Sequence, residues 1–285
     1  MTTDDSNDLD ATGVSVCRAV CDPSLCAALL AEIQTHLTRL SERPQTMAER
    51  MRQEATGPTC RHFLPISTVR GSSLGGGTSE GVGPDFDGAG GGALPLSPAA
   101  AAVLKSALGS GGGGGGGGGV GALLAAALGG VDAVVSEMTA IASDPGAAAQ
   151  AVHSDGDWRE GAPRLVTLFL ALHDVLDPSM GPTRYWPRTH TPRCFAPEGS
   201  AEGAWLPPTE ERARERRAGG GVWFPLKAGD AVLMEQTAWH HGGANTSTRR
   251  RTLLSVSFVA APTAGGGRME QRDADGDKLR LRDFL

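Results

Sequence analysis

The sequence predicts a mainly β protein with flanking helices (α+β), built as a double-stranded β-helix, the jelly roll of the cupins. Two observations predict it. An N-terminal segment carries apolar residues at helical spacing, namely Leu25, Leu29, Leu30, Ile33, Leu37 and Leu40. From residue 131 onward, short apolar runs rich in β-branched residues alternate with Pro, Gly and Asp. Several short strands after a helical part are typical of two packed sheets with helices outside.

The elements follow in order along the chain. Residues 14–20 predict a first strand, and Asp22-Pro23 has the composition of a helix N-cap followed by a first helical residue. A second helix is predicted over residues 98–108. The remaining candidates are strands, at residues 131–142, 164–173, 221–226, 231–235 and 252–260.

Glycine-rich stretches indicate how the 285 residues are organised. We expect one domain over residues 13–263 with flexible insertions at about 71–96 and 109–121, the second of which contains nine consecutive glycines. No Gly-Lys-Ser or Gly-Lys-Thr follows that run, so it is not a phosphate-binding loop. Residues 1–12 are polar and acidic and predict a disordered tail, and residues 264–285 predict a solvated C-terminal tail.

Composition excludes several classes of function. A formal net charge of −6 and a pI of about 5.7 argue against a nucleic-acid partner. The five cysteines are odd in number and form no C-x-x-C pair, which predicts free thiols. The sequence shows no secretory pattern, no apolar run long enough for a membrane span and no C-terminal peroxisomal signal. We therefore expect an intracellular, cytoplasmic protein.

The segment Gln150-Ala-Val-His-Ser-Asp155 contains two candidate metal ligands. Alternate side chains of a strand share a face, so His153 and Asp155 can offer an imidazole and a carboxylate to one metal ion. A second histidine would complete the face of two histidines and one carboxylate that non-haem Fe(II) oxygenases use.

Four histidines are candidates for that third ligand. His173 ends an apolar strand, where we interpret it as a structural histidine, and His190 lies in a turn segment, where backbone hydrogen bonding is expected. His240 and His241 remain, and because neighbours on a strand face opposite sides, only one of them can reach the metal.

The order of these motifs resembles the phytanoyl-CoA dioxygenase (PhyH) family over roughly residues 23–259. The residues that carry the resemblance are His153-x-Asp155, Gly181-Pro182-Thr183, residues 187–190, His240-x-Gly-Gly-Ala-Asn245 and Arg251. In that family an arginine follows the distal histidine at the interval that separates His240 from Arg251. The resemblance therefore implies His153, Asp155 and His240 as metal ligands.

The resemblance further implies a dioxygenase that uses Fe(II), O2 and 2-oxoglutarate and that hydroxylates a small-molecule or acyl substrate, releasing succinate and CO2. Arg251 suits the far carboxylate of 2-oxoglutarate because its planar guanidinium binds a carboxylate with two hydrogen bonds. Several such enzymes have a serine two residues beyond the arginine, but here that residue is Leu253. Thr183 and Thr167 are the candidate replacement hydroxyls.

Two alternatives stay open at this point. One is a jelly-roll metal-binding or ligand-binding protein without oxygenase activity. The other is a cupin-type metalloenzyme that does not use 2-oxoglutarate. The family acts on chemically diverse compounds, so the sequence does not select a substrate, and it leaves the oligomeric state open.

Overall fold

A computed structural model describes residues 9–42, 60–67, 94–109, 119–156, 160–191, 221–261 and 278–285. The helices are α1 (Leu9–Thr12), α2 (Pro23–Glu42), α3 (Pro98–Leu108) and α4 (Val120–Leu128). The strands are β1 (Val14–Cys17), β2 (Arg61–Pro65), β3 (Val134–Ser143), β4 (Leu165–Ala171), β5 (Thr183–Trp186), β6 (Ala231–Glu235), β7 (Trp239–Gly242) and β8 (Arg251–Val259). Two 3-10 turns lie at Pro178–Met180 and Leu281–Asp283.

Six of these strands form one antiparallel sheet in the order β1-β6-β4-β8-β3-β2. A second, smaller sheet is built on the antiparallel pair β5-β7. Single bridges extend it on both sides, from His153 to His240 and from Val222 to Tyr185. Apolar residues of both sheets, among them Phe169 and Tyr185, share one buried cluster. The two sheets therefore face each other as in a jelly roll, which confirms the predicted fold class.

Strand β8 shows how the large sheet divides its two faces. Leu254, Val256 and Phe258 are fully buried in the largest apolar cluster, which includes residues of α2, α3 and α4. The alternate residues Ser255 and Ser257 point to the other face, where the sheet lines a cavity. Because strand side chains alternate, the helices cover the outer face and leave the inner face to the smaller sheet.

Most predicted elements are confirmed, with shifts of one to three residues at their ends. The helix over 98–108 and the strand over 231–235 have the predicted bounds. Residues 221–226 differ, because they form only isolated bridges at Val222 and Leu226. Strands β2, β5 and β7 and helix α4 were not among the predicted elements. The α4 sequence, rich in Ala and Leu, follows the glycine run directly, so its start lies inside the predicted insertion.

The predicted disordered N-terminal tail is wrong for residues 9–12. These form α1, and Asp10 lies 2.6 Å from Arg164 while the Thr12 carbonyl accepts a hydrogen bond from the Arg188 amide. Polar groups of this segment, which suggested disorder, thus bind residues that are distant in the sequence: Asp10 pairs with Arg164, and the Thr12 carbonyl with the Arg188 amide. Residues 1–8 lie outside the described residues.

The predicted solvated C-terminal tail is wrong for residues 278–285. Leu279, Leu281 and Phe284 are buried, and backbone hydrogen bonds join this segment to Ala133 and Val135. Apolar residues between the charged ones fill the end of the core that α3 and α4 also cover. Within the predicted insertions, residues 94–96 and 119–121 are described; residues 71–93, 110–118 and 264–277 lie outside the described residues.

Candidate metal and co-substrate site

His153, Asp155 and His240 meet at one point between the two sheets. One ligand atom from each lies within 4.8 Å of the other two. The Nε2 atoms of His153 and His240 are 3.6 and 3.5 Å from Asp155 Oδ1. A metal–nitrogen bond is about 2.1 Å long, so atoms at these separations can share one ion. Two neutral imidazoles and a carboxylate fit iron or another divalent transition metal.

Backbone pairing sets this meeting point. The amide of His153 donates to the His240 carbonyl at 2.9 Å, and the amide of His240 returns a bond to His153 at 2.8 Å. The Asp155 amide then donates to the Gln236 carbonyl. The His-x-Asp segment thus runs beside β7, with His153 directly opposite His240.

The ring orientations are set in the same way at both histidines. Nδ1 of His153 contacts the Ala151 carbonyl at 2.8 Å, and Nδ1 of His240 contacts the Ala238 carbonyl at 3.1 Å. A carbonyl only accepts, so each Nδ1 carries the hydrogen and each Nε2 keeps its lone pair. This second hydrogen bond is the usual way in which proteins orient a histidine that binds a metal.

Burial differs among the three side chains. His240 is 5% exposed, and this burial lowers its pKa against the opposing effect of Asp155. The neutral form that a metal requires is therefore the favoured one. The Asp155 side chain is 41% exposed, so the group is open to the cavity on its carboxylate side.

The other histidine candidates lie elsewhere. The ring of His241 points to the opposite side of β7 and packs 5.5 Å from Trp186. His173 accepts a hydrogen bond from the Thr252 amide at 2.9 Å, which agrees with a structural role. His190 contacts the Asp10 carbonyl at 3.1 Å, as expected for its turn.

Arg251 lines the same cavity, with only 2% of the residue exposed. Its Nη1 donates to Thr183 Oγ1 at 3.3 Å and its Nη2 to Ser143 Oγ at 3.1 Å. Ser143 Oγ also accepts from Arg61 Nε at 3.0 Å, so one hydroxyl lies between two guanidinium groups. Of the two hydroxyls considered from the sequence, Thr183 is at Arg251, whereas Thr167 is hydrogen-bonded to Ser257 at the far end of the sheet.

No carboxylate balances these two cations within the described residues. Neither Arg61 nor Arg251 has an ion-pair partner there, and Arg251 Nε is buried without a hydrogen bond. Burial and the charge of Arg61 lower the pKa of Arg251 to about 10. Burying a cation without a neighbouring anion is unfavourable. An anionic ligand bound at this end of the cavity would therefore be stabilised by Arg251 and Arg61.

Sequence reasoning missed Ser143 and Arg61. Ser143 is the residue directly opposite Arg251 in the β3–β8 register, and Arg61 is opposite Ser143 in β2–β3. Only the strand register places Ser143 and Arg61 beside Arg251, and local sequence patterns do not reveal the register.

The cavity that joins the metal group to Arg251 has a volume of about 460 Å³. Both sheets line it. Trp186 and Trp239 are buried together with Val152 in a small cluster. Trp158 lies outside the described residues.

A jelly roll with two histidines and a carboxylate meeting between its sheets defines the class of cupin-like metal-site proteins. Residues 117–253 match the family model for phytanoyl-CoA dioxygenase (PhyH). In this segment the chain is similar to the PhyH family, in agreement with the resemblance seen in the motifs. No curated protein is similar enough in sequence to count as a match.

Solved structures with the same fold include three proteins of low sequence identity. The epimerase SnoN, in complex with Fe3+, alpha-ketoglutarate and nogalamycin RO, is 17% identical with a TM-score of 0.55, covering 90% of this chain and 83% of that chain. The carbocyclase SnoK from nogalamycin biosynthesis is 16% identical with a TM-score of 0.57, covering 98% and 93%. HygX from Streptomyces hygroscopicus, with nickel and 2-oxoglutarate bound, is 13% identical with a TM-score of 0.53, covering 100% and 99%. At these identities the likeness concerns the fold.

Among the described residues, no helix combines the length and apolarity that crossing a membrane requires.

Proposed function

We propose that this protein is an Fe(II)- and 2-oxoglutarate-dependent oxygenase that acts on a small molecule. One observation carries the proposal: a cluster of two histidines and a carboxylate shares a cavity with a buried arginine that has no anionic partner among the described residues. The first feature fits a metal and the second fits a carboxylate. The match of residues 117–253 to the PhyH family model, and the iron and alpha-ketoglutarate in the SnoN complex, support the same pairing.

His153, Asp155 and His240 are the proposed iron ligands. Bound there, iron with 2-oxoglutarate supplies the oxygen activation, which the protein's own side chains do not provide. The backbone bonds at Ala151 and Ala238 hold the two imidazoles in the tautomer that iron needs. The ligand set leaves further coordination positions for the co-substrate and O2.

Arg251 is proposed to bind the far carboxylate of 2-oxoglutarate, with Thr183 and Ser143 placing the guanidinium. Arg61 adds positive charge behind Ser143. The burial of Arg251 strengthens a charge-assisted hydrogen bond because water does not compete for the carboxylate. We propose hydroxylation as the outcome, with succinate and CO2 released.

The first test is turnover of 2-oxoglutarate. Protein loaded with Fe(II) without oxygen and then exposed to O2 is expected to form succinate from 2-oxoglutarate. Asp155→Ala should abolish this because it removes one of three ligands. Glu32→Ala, which removes an exposed carboxylate on α2, is the matched control and should retain turnover.

The outcomes separate the alternatives. Metal binding without 2-oxoglutarate-stimulated oxygen consumption would favour a binding protein. Stable binding of zinc or manganese with no affinity for 2-oxoglutarate would favour a cupin-type enzyme of another kind. Either result contradicts the proposal.

The second test concerns Arg251. Arg251→Lys keeps the charge but loses the planar pair of donors, so the KM for 2-oxoglutarate should rise by about tenfold or more while the metal is still bound. Arg250→Lys is the control, because Arg250 pairs with Asp144 outside the cavity lining. An unchanged KM in Arg251→Lys would contradict the assignment.

A further inference from the structure

The inner face of the large sheet changes character along its length. Strand register aligns its residues in rows across β3, β8 and β4. Ser143 and Arg251 form the row at the co-substrate end. The rows then run Ile141-Leu253-Ala171, Thr139-Ser255-Phe169 and Glu137-Ser257-Thr167. Beyond the apolar row, the last two rows carry four hydroxyls, one carboxylate and the ring of Phe169, while Phe63 and Leu165 add apolar surface elsewhere in the cavity.

This hydroxyl wall, defined as Glu137, Thr139, Thr167, Ser255 and Ser257, is unusual for the interior of a jelly roll. The interleaved residues on the other face of the same strands are apolar and buried, for example Met138, Leu168 and Val256. Between packed sheets an apolar inner face is the norm. Here the polar side chains face the cavity, and all five line it.

The internal hydrogen bonds of the wall leave capacity for a ligand. Thr139 donates to Glu137 at 2.9 Å and Thr167 pairs with Ser257 at 2.9 Å. The Ser255 hydroxyl has no hydrogen bond to any described residue. An alkyl chain placed on this wall would deprive its free hydrogen-bonding groups of water without offering a replacement, which is unfavourable.

Glu137 adds a charge preference. Its carboxylate is solvent-exposed at the cavity wall and has no cationic partner among the described residues. Among the described lining residues, His153, Asp155, His240 and Arg251 are assigned to iron and co-substrate, and Glu137 is the remaining charged side chain. A positively charged group on the substrate could therefore pair with the Glu137 carboxylate, which has no such partner among the described residues.

The wall is also placed for a substrate rather than for the co-substrate. Thr167 and Ser257 share a row with Glu137, at the opposite end of the sheet from Arg251. Gln236, whose backbone pairs with Asp155 and Leu165, lines the cavity near this end. Gln236 Nε2 donates to the backbone carbonyl of Asp155 at 3.3 Å, so this end of the cavity borders the segment that carries the metal group.

We infer that the substrate is a polyhydroxylated small molecule bearing a cationic amino group, such as an amino sugar or aminocyclitol, with its hydroxyls on the hydroxyl wall and its amine at Glu137. This rests on the function proposed above. It excludes a fatty acyl thioester as the preferred substrate, because such a chain has neither the hydroxyls nor the positive charge that the wall complements.

The test measures binding by calorimetry to Ni(II)-loaded protein saturated with 2-oxoglutarate, where no turnover occurs. The probes are matched pairs, glucosamine with glucose and 2-deoxystreptamine with inositol, together with lauroyl-CoA. The aminated member of each pair should bind about tenfold more tightly, as expected for a hydrogen bond to a charged group. Lauroyl-CoA should bind more weakly than the aminated compounds.

Two variants assign the effect to the wall. Glu137→Gln should remove the preference for the amine while retaining the affinity for 2-oxoglutarate, whereas Glu32→Gln on α2 should keep the preference. Ser255→Ala should weaken both members of each pair by a few-fold. The thermal unfolding temperature of each variant reports whether it is folded.

The inference is overturned if no aminated compound binds, if lauroyl-CoA binds best, or if the preference survives in Glu137→Gln. The proposed function is tested separately by 2-oxoglutarate affinity and by Fe(II)-dependent succinate formation without added substrate. If these are present without a preference for the amine, only the inference fails. If they are absent, the proposed function fails.

Discussion

His173 and His240 both have partly or fully buried rings, but their Nε2 atoms have different partners. Nδ1 of each faces a backbone carbonyl. Nε2 of His173 accepts the Thr252 amide, whereas Nε2 of His240 faces Asp155 across an open site. At the residue scale, the partner of the second nitrogen therefore distinguishes a structural histidine from a candidate ligand.

His173 gives a prediction about pH. Burial lowers its pKa below 6.5, opposed by the hydrogen bond to Asp174 and reinforced by the charges of Arg249 and Arg251. The unfolded chain therefore takes up the proton first, so the contribution to stability is complete above about pH 6.5 and declines as the pH falls below it. We expect the unfolding temperature to drop between about pH 7.5 and about pH 5.5.

His173→Gln can still accept the Thr252 amide but does not titrate, so its unfolding temperature should change less over that range. His36→Gln, at a half-buried position of α2, is the comparison and should alter the slope less than His173→Gln. Identical pH dependence in wild type and His173→Gln would contradict this role.

At the scale of elements, the turn between β7 and β8 connects the metal group to Arg251. Asn245 is fully buried in it, and its Nδ2 donates to the carbonyls of Ser143 and Arg249, both at 2.8 Å. Its Oδ1 accepts from Ser247. The side chain thus ties the turn to the end of β3, where Ser143 contacts Arg251.

Asn245→Ala should destabilise the protein by about 2–3 kcal/mol, because buried carbonyls lose their donor. It should also raise the KM for 2-oxoglutarate by shifting Ser143 and Arg251. Thr248→Ala, at an exposed position of the same turn, should change stability by less than about 0.5 kcal/mol. Chemical denaturation measures both, and equal effects would contradict the role of Asn245.

The elements also show which features local sequence predicts. β4, β6 and β8 carry continuous or alternating apolar residues and were located to within a few residues. β2 contains Arg61 and His62 as neighbours, one on each face, so its apolar pattern is weak. A strand with polar residues on both faces was thus harder to recognise than strands that bury an apolar face in the core.

At the scale of the whole molecule, the core joins segments from all parts of the chain. Residues of α2, α3 and α4 meet the large sheet, and the segment 278–285 completes one end. Phe284 is 4% exposed there, although its flanking sequence is rich in charge. The outer face of the large sheet, which supports the cavity wall, depends on this packing.

Phe284→Ala should therefore lower stability by about 3–5 kcal/mol, the usual cost of removing a buried aromatic ring. Leu285→Ala is the control, since Leu285 is 52% exposed and should cost less than about 1 kcal/mol. Thermal and chemical unfolding would measure the difference. A small effect of Phe284→Ala would show that the segment is not part of the core.

The sequence by itself determined the fold class, the family that the chain resembles and the residue types of the candidate site. His153 and Asp155 lie two residues apart, and alternation along an extended chain places both on one face. Such features depend only on local geometry. His240 and Arg251 required the family resemblance in addition, since periodicity alone left His240 and His241 equal.

The tertiary structure decided what surrounds those residues. Ser143 beside Arg251, Arg61 behind it and the hydroxyl wall around Glu137 all follow from the register of β2, β3, β4 and β8. These strands are far apart in the chain, and their alignment comes from backbone hydrogen bonds and the burial of the outer face under the helices. Local sequence patterns do not predict that alignment.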